Sequence, residues 1–278
     1  MPRPPFEADS RHRAIETLLL WEGRVSRARL LELFGVHGTQ ASRDLASFRQ
    51  AYPAACEPEP ATKSYVVSAL FRPTLTTGDF PTYQRLVGAA GSPDEVRAGV
   101  PVLSTVPDAT HIDHRVFRIL HRAMRDGRAV KIAYRSLNAP NRHERLIRPH
   151  ALIQAGPRWH LRAWCDQVKA FRDFNLGRIA QATLQTHVEL PGAEADSAWN
   201  SQVKVRFVPH RGLSREQAQL VRDEYMGGTT ALVHEVRVPL VRYLVQAFRA
   251  AVDPVHEPAP AHLLMVQAPE SLPAGALW

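Results

Sequence analysis

The chain has 278 residues, with 35 Lys and Arg against 27 Asp and Glu, a formal charge of +8 and a pI near 10, a balance that favours a polyanionic partner. At 45% hydrophobic and 22% charged residues it is ordinary globular material, long enough for about two or three domains of roughly 100–150 residues, which excludes wholesale disorder. Cys56 and Cys165 stand far apart with no CxxC partner, which excludes a disulfide scaffold and a cysteine-rich structural zinc site and fits a reducing, cytosolic setting.

The N-terminus, Met1-Pro2-Arg3-Pro4-Pro5-Phe6, leads into no long apolar core, and no run of about 18 uncharged apolar residues follows, so neither a secretion signal nor a membrane span is expected. Over residues 11–21, Ile15, Leu18 and Leu19 share one face, with Arg11, Arg13, Glu16 and Glu22 elsewhere, which predicts an amphipathic helix ended by Gly23. Ser26 caps a second helix with Leu30, Leu33 and Phe34 on one face and Gly35 as its stop. Thr39 is expected to cap a third helix reaching Gln50, with Ala41, Leu45 and Phe48 inward. Two strands, around 55–57 and 64–68, are expected across a turn at Pro58-Glu59-Pro60. Three helices and a hairpin are the parts of a winged helix-turn-helix. In its third helix Thr39, Gln40, Ser42 and Arg43 occupy the part that meets base edges, where Gln suits adenine and Arg suits guanine. Ser26, Arg27 and the wing residues Lys63 and Tyr65 complete the expected DNA contacts. The competing reading is a solvated polar face of a small helical interaction module.

Residues 71–111 hold Pro73, Gly78, Pro81, Gly91, Pro93, Pro101 and Pro107 and read as a connector with one short helix at 82–90. A clear helix, His114–Arg125, follows, with Val116, Ile119, Leu120 and Ala123 at helical spacing. From Val130 the period becomes 2: strands are expected at 130–136, 145–154, 158–165 and 170–174, forming a small, twisted antiparallel sheet of the barrel type. Tyr134 and Ser136 share a face; His160 and Arg162 lie opposite Trp159 and Leu161. The rest reads strand, helix, strand, helix, strand: a small βαβαβ unit without catalytic residues, suited to oligomerisation, with a capping box at Ser214 and Gln217.

The charge is uneven. Residues 1–70 carry +1, 71–111 carry −1, 112–182 carry +10 and 183–278 carry −2. DNA reading by the first segment therefore rests on a few placed residues, while the surplus sits in the middle.

Three stretches carry a resemblance: Gln40-Ala41-Ser42-Arg43-Asp44-Leu45 with Lys63-Ser64-Tyr65; Ile132-Ala133-Tyr134-Arg135-Ser136 with Arg148-Pro149-His150; and Arg158-Trp159-His160-Leu161-Arg162-Ala163-Trp164 with Phe171-Arg172-Asp173-Phe174 and Arg178-Ile179. Together with 237–243, they resemble the WYL-domain transcriptional repressors of the BrxR/CapW type, found beside bacterial anti-phage systems of the BREX and CBASS kind. The name-giving triplet is varied here to Trp159-His160-Leu161. The resemblance implies an α+β multidomain chain: a winged helix-turn-helix at 1–70, a connector at 71–111, an Sm/SH3-like WYL β-barrel for ligand sensing at 112–185 and a C-terminal dimerisation domain at 200–278. It places Tyr134, Ser136, His150, Arg162, Arg172 and Arg178 in a ligand pocket, and such an arginine cluster suits an anionic effector, a nucleotide or oligonucleotide. Trp159, Leu161 and Phe171 are expected in the core, and Asp173 is expected to pair with an arginine. The rival readings are a solvated basic surface with scattered ion pairs and a basic surface that adds DNA backbone affinity.

No GxxxxGK, GxGxxG, GxSxG or HExxH occurs, so nucleotide hydrolysis, hydride transfer, serine hydrolysis and zincin chemistry lack their residues. His111-Ile112-Asp113-His114 is read as structural rather than metal-binding. The expectation is a non-enzymatic, cytoplasmic, nucleoid-associated homodimer without cofactor or metal. Its partners are an inverted-repeat double-stranded operator, a second copy of the chain and an anionic effector, with no membrane. The alternative is an activator or accessory protein whose WYL domain binds DNA or RNA directly.

Overall fold

The computed structural model describes residues 6–76, 78–88 and 111–277. The last two residues of the predicted connector helix, and Gly91, Pro93, Pro101 and Pro107, lie outside that set.

Helix α1 (Phe6–Glu22) has no solvent face in its second half: every residue from Ala14 to Glu22 is buried. It is packed against α3 (Gly38–Ala51), α4 (Phe80–Gly88) and α5 (His114–Arg125). This corrects the amphipathic expectation. A helix covered on all sides must satisfy its polar groups internally. Glu16 accepts from the backbone N–H groups of Thr74, Leu75 and Thr76 at 2.8, 2.6 and 2.7 Å. Glu22 accepts from Arg29 at 2.6 Å and from the Tyr83 hydroxyl at 3.3 Å.

The second helix, α2 (Arg27–Phe34), begins at Ser26, whose side chain accepts from the Arg29 N–H at 3.2 Å, and ends at Gly35 in the left-handed region at φ 59°. The next helix starts two residues earlier than expected: His37 occupies the cap position without a side-chain bond, and Thr39 lies inside the first turn. The His37 carbonyl already accepts from the N–H groups of Gln40 and Ala41, so the turn closes before Thr39 is needed. A strand too short to show a period, β1 (Arg24–Ser26), pairs with β3 (Ser64–Val67), which also pairs with β2 (Cys56–Glu59). Pro58 and Glu59, expected in the turn, belong to β2; as an edge strand it tolerates a proline without an N–H, and the turn is Pro60–Thr62.

Beyond α5 run β4 (Val130–Tyr134), β5 (His143–Ala155), β6 (Arg158–Cys165), β7 (Ala170–Asn175) and β8 (Ile179–Leu184), an antiparallel sheet in the order β7-β6-β5-β4-β8. The strand β8 was not anticipated from periodicity. Among the described residues β7 and β8 are not paired to each other, so the sheet is open and the expected closed barrel is not seen. Ser136 lies beyond the end of β4, in a turn where its N–H and carbonyl bond to Ala139. At Pro149 the β5–β6 register shifts, Pro149 facing Ala163 and Ala151 facing Arg162 with His150 skipped, a bulge placed where proline offers no donor.

Helix α5 packs against α1 and against β5 and β8, so the winged-helix segment and the sheet share one continuous core. Within it Phe80 stacks edge-on between Trp21 and Trp159, with centroids 5.1 and 5.2 Å away. Leu161 is buried as expected, and Trp159 packs against the core from its edge.

After α6 (Ser197–Asn200), β9 (Gln202–Pro209), α7 (Arg215–Met226), β10 (Leu232–Arg237), α8 (Val241–Ala247) and β11 (Leu264–Val266) follow, the strands antiparallel in the order β10-β9-β11. They enclose a second core around Val205, Phe207, Val241, Leu264 and Val266. The Ser214–Gln217 capping box opens α7. No helix among the described residues is long and apolar enough to cross a membrane.

Candidate nucleic-acid interface and sensor site

Helix α3 buries Ala41, Asp44, Leu45 and Phe48 and leaves Thr39, Ser42 and Arg43 exposed on the opposite side. Gln40 behaves differently from its neighbours. Its amide donates to Asp44 Oδ1 at 2.8 Å, and the other Asp44 oxygen meets Arg11 Nε at 2.7 Å, so Gln40 is held along its own helix. Arg27 is exposed, and its Cζ lies 4.0 Å from the point where a side chain on Gly38 would begin, in van der Waals reach of the start of α3. A cation over a helix N-terminus opposes the helix dipole, a conflict that a phosphate placed between them relieves. Ser26 is half-buried, its oxygen used as the α2 cap.

In the wing, Lys63 is exposed at φ 51°, at the tip of the turn. Tyr65 is half-buried: Arg49 donates to its hydroxyl at 3.4 Å, and the guanidinium sits 4.7 Å from the ring centroid. Arg49, at the far end of α3, was missed because nothing in the sequence shows that the wing folds back onto that end. Glu16, Glu22 and Asp44 are all buried, so the solvent-facing surface is richer in cations than the segment's +1 indicates.

In the middle segment a buried charge network joins three parts of the chain. Arg162 donates to both oxygens of Asp196, from Nε at 2.8 Å and Nη2 at 3.0 Å, and to Asp173 Oδ1 at 3.0 Å. His150 Nε2 shares Asp196 Oδ2 at 3.1 Å, and Asp196 Oδ1 also accepts from the Trp199 N–H that opens α6. The second Asp173 oxygen accepts from the Tyr243 hydroxyl at 2.8 Å and from Arg242, both on α8. Burial opposes every charge here. The Arg162 bonds nevertheless hold the Asp196 carboxyl below its ordinary value, and the two carboxylates hold Arg162 firmly charged. His150 is shifted the other way, burial outweighing Asp196 and lowering its value.

Of the six expected sensor residues, His150 and Arg162 meet at Asp196, and Arg172 is exposed beside them. Arg162, Arg172, Trp164, Phe171 and Arg242 line a pocket of about 480 Å³. Phe171, expected in the core, forms its wall, 5.9 Å from the Arg162 guanidinium. Tyr134 is a core residue, its hydroxyl accepting from the Asn175 N–H at 3.3 Å. The Ser136 hydroxyl caps its own turn at Ala139 N, and Arg178 is half-buried after β7. Asp173 pairs with an arginine as expected. Asp196, Arg242 and Tyr243 were missed; of these only Asp196 left a signal, as an acidic cap before a short helix. Among the described residues no cluster of three metal-ligating side chains occurs. In the 111–114 motif Asp113 caps α5 and His114 lies against Trp21.

Burial also lowers the values of His114, His121 and His160. A histidine whose folded value lies below its unfolded value of about 6.5 contributes stability that is complete above that pH and is lost as pH falls through the folded value. The melting temperature is therefore expected to fall between pH 7.5 and 5, and His160→Gln is expected to flatten that slope. A flat profile in the unsubstituted protein contradicts this.

Comparison with known proteins agrees along the chain. The winged helix-turn-helix domain of the BrxR transcriptional regulator matches residues 7–89, the WYL domain matches 115–184, and the BrxR C-terminal dimerization domain matches 202–272. The DNA-binding transcriptional repressor CapW of Escherichia coli is 30% identical over 237 residues, 83% of this chain and 79% of its own. That of Pseudomonas aeruginosa is 29% identical over 238 residues, again 83% and 79%. That of Stenotrophomonas maltophilia is 31% identical over 217 residues, 76% and 73%. Among solved structures, the proteasome accessory factor B/C (PafBC) of Arthrobacter aurescens is 18% identical at a TM-score of 0.28, a remote likeness; this chain is covered entirely and spans about half (51%) of that one. By its three matched domains and these relatives, the chain belongs to the BrxR/CapW family of WYL-domain transcriptional regulators.

Proposed function

We propose that the chain is a homodimeric, sequence-specific DNA-binding transcriptional repressor of a phage-defence operon, cytoplasmic and nucleoid-associated, that grips an inverted repeat with two winged helices. The observation that carries this reading is the exposed face of α3, Thr39, Ser42 and Arg43, flanked by Arg27 at one end and by the Arg49–Tyr65 wing contact at the other. A two-fold dimer spaces two such helices by about 34–36 Å or a multiple, one per half-site. The working division is a DNA-reading unit at 1–70, a connector at 71–111, a sensor at 112–185 built on an Sm/SH3-like sheet, and a βαβαβ dimerisation unit at 200–278. The names of the CapW relatives support the repressor assignment. Protection of an inverted repeat in a footprint upstream of its own gene tests it; an unprotected promoter refutes it.

In this reading an anionic nucleotide or oligonucleotide in the pocket beside Arg172 shifts the balance between bound and released states, by no more than its difference in affinity for the two. Arg172→Ala is expected to leave operator affinity within about twofold while blunting effector-induced release, measured by fluorescence anisotropy on the labelled operator. The +10 charge of residues 112–182 favours a second reading, in which the middle segment holds DNA or RNA directly. In that case Arg172→Ala weakens binding to all sequences and lowers the salt slope by about 0.9 per lost phosphate contact.

A further inference from the structure

We propose that a second pocket, at the junction of β6 and α8, binds the phosphate of a nucleotide. Its volume is about 560 Å³, and its walls include Arg158, His160, Asp173, Arg242, Tyr243 and Gln246. It is separate from the pocket beside Arg172; the Asp173–Arg242 pair lines both and forms the partition between them.

The electrostatics call for an anion. Arg162 is balanced by Asp196 and Arg242 by Asp173. Among the described residues Arg158 and Arg178 have no such carboxylate partner. Both nevertheless act on His160: after burial, the fields of Arg242, Arg158 and Arg178 against that of Asp173 keep its imidazole below the ordinary value. The pocket thus gathers more positive charge than its one carboxylate offsets. His160 Nδ1 and Arg242 Nε are also buried with no hydrogen-bond partner among the described residues, and buried polar atoms are seldom left so. Guanidinium groups match phosphate oxygens in geometry as well as charge.

The rest of the wall suits a planar ring attached to that phosphate. His160 and Tyr243 pack as a tilted pair, 35° between ring planes with centroids 5.1 Å apart, Leu277 adds an apolar surface, and the Gln246 side chain offers an amide. The volume lies within the roughly 300–1,000 Å³ usual for small-ligand sites. A phosphate here competes with Asp173 for Arg242, and so bears on the contact that ties α8 to β7. That regulatory consequence rests on the ligand-responsive reading above; the binding itself does not.

Isothermal titration of the full-length chain with adenosine 5′-monophosphate, adenosine, inorganic phosphate and the dinucleotide pApA tests the site. The monophosphate is expected to bind and adenosine to give no heat. Arg158→Ala should weaken binding about 10- to 100-fold, the loss of one or two charge-assisted hydrogen bonds, with operator affinity unchanged. Arg242→Lys, which keeps the charge and loses the fork, should weaken it as well. Tighter binding of pApA assigns the phosphate to an oligonucleotide end, and equal or weaker binding assigns it to a free nucleotide. The proposal is overturned if the monophosphate gives no heat, if inorganic phosphate matches it, if Arg158→Ala binds as the unsubstituted chain does, or if Arg172→Ala abolishes binding and Arg158→Ala does not. Operator binding measured on the same samples separates the two ideas: a protein that binds its operator but no nucleotide loses the pocket and the nucleotide effector and keeps the repressor assignment, and one that binds nucleotide but no operator loses only the repressor assignment.

Discussion

Replacing Arg43 with alanine is expected to abolish operator-specific binding while the dimer stays intact. Arg43 stands exposed one turn into α3, with Ser42 beside it and Thr39 one turn back, and the residues that seat the helix, Ala41, Leu45 and Phe48, point the other way. Truncating it therefore removes a base contact without touching the core. A bidentate arginine–guanine pair contributes about 1–3 kcal/mol of discrimination. Two half-sites lose it together, so affinity for the operator falls by a factor on the order of 30 to 10⁴, while affinity for unrelated DNA changes by the small amount that one charge accounts for. Gln40→Ala is expected to have a much smaller effect, because its amide is committed to Asp44 at 2.8 Å. The measurement is a quantitative footprint with sedimentation of the same samples; an unchanged footprint for Arg43→Ala removes α3 from its assigned role.

How far the sequence carried the reading depended on the range of the interaction. The helix-turn-helix was legible because caps, glycine stops and apolar spacing are local: Ser26, Gly35, Leu45 and Phe48 all do what their positions imply. The sheet was legible from alternation, except for β1, too short to show a period, and β8, found only by pairing with β4. Long-range polar partners were not legible. Glu16 and Glu22 looked like solvent residues because the loop at 74–76 and the Tyr83 ring that cover them lie about 60 positions away in the chain. The resemblance placed Tyr134 and Arg162 in an anion pocket; the Tyr134 hydroxyl is held by the backbone of β7, and Arg162, although it lines the pocket beside Arg172, is already bonded to Asp196, 34 positions away. Arginine enrichment announced that carboxylates or phosphates would be bound; it did not reveal which arginines already had an internal partner.

That distinction makes Asp196→Ala the most disruptive single change expected outside the two apolar cores. Asp196 is 1% exposed and serves four donors: two from Arg162, one from His150 and the Trp199 N–H at the start of α6. Its removal leaves the Arg162 guanidinium buried with Asp173 alone, and Asp173 already holds Arg242 and Tyr243. Breaking a buried pair by deleting one partner typically costs about 3–5 kcal/mol, because the surviving charge stays out of water, and loss of a helix cap adds about 1 kcal/mol. At about 2–4 °C per kcal/mol for a chain of this size, the melting temperature is expected to drop by roughly 8–24 °C. Deleting both charges should cost less than deleting one: Arg162→Met combined with Asp196→Leu is expected to recover part of the loss, the sign of coupling in a double-mutant cycle. Calorimetric melts of the two single variants and the double variant check this. A single variant that melts within about 2 °C of the unsubstituted chain would show that the network does not join the sheet to the C-terminal unit, since a buried guanidinium without its carboxylate cannot be that inexpensive.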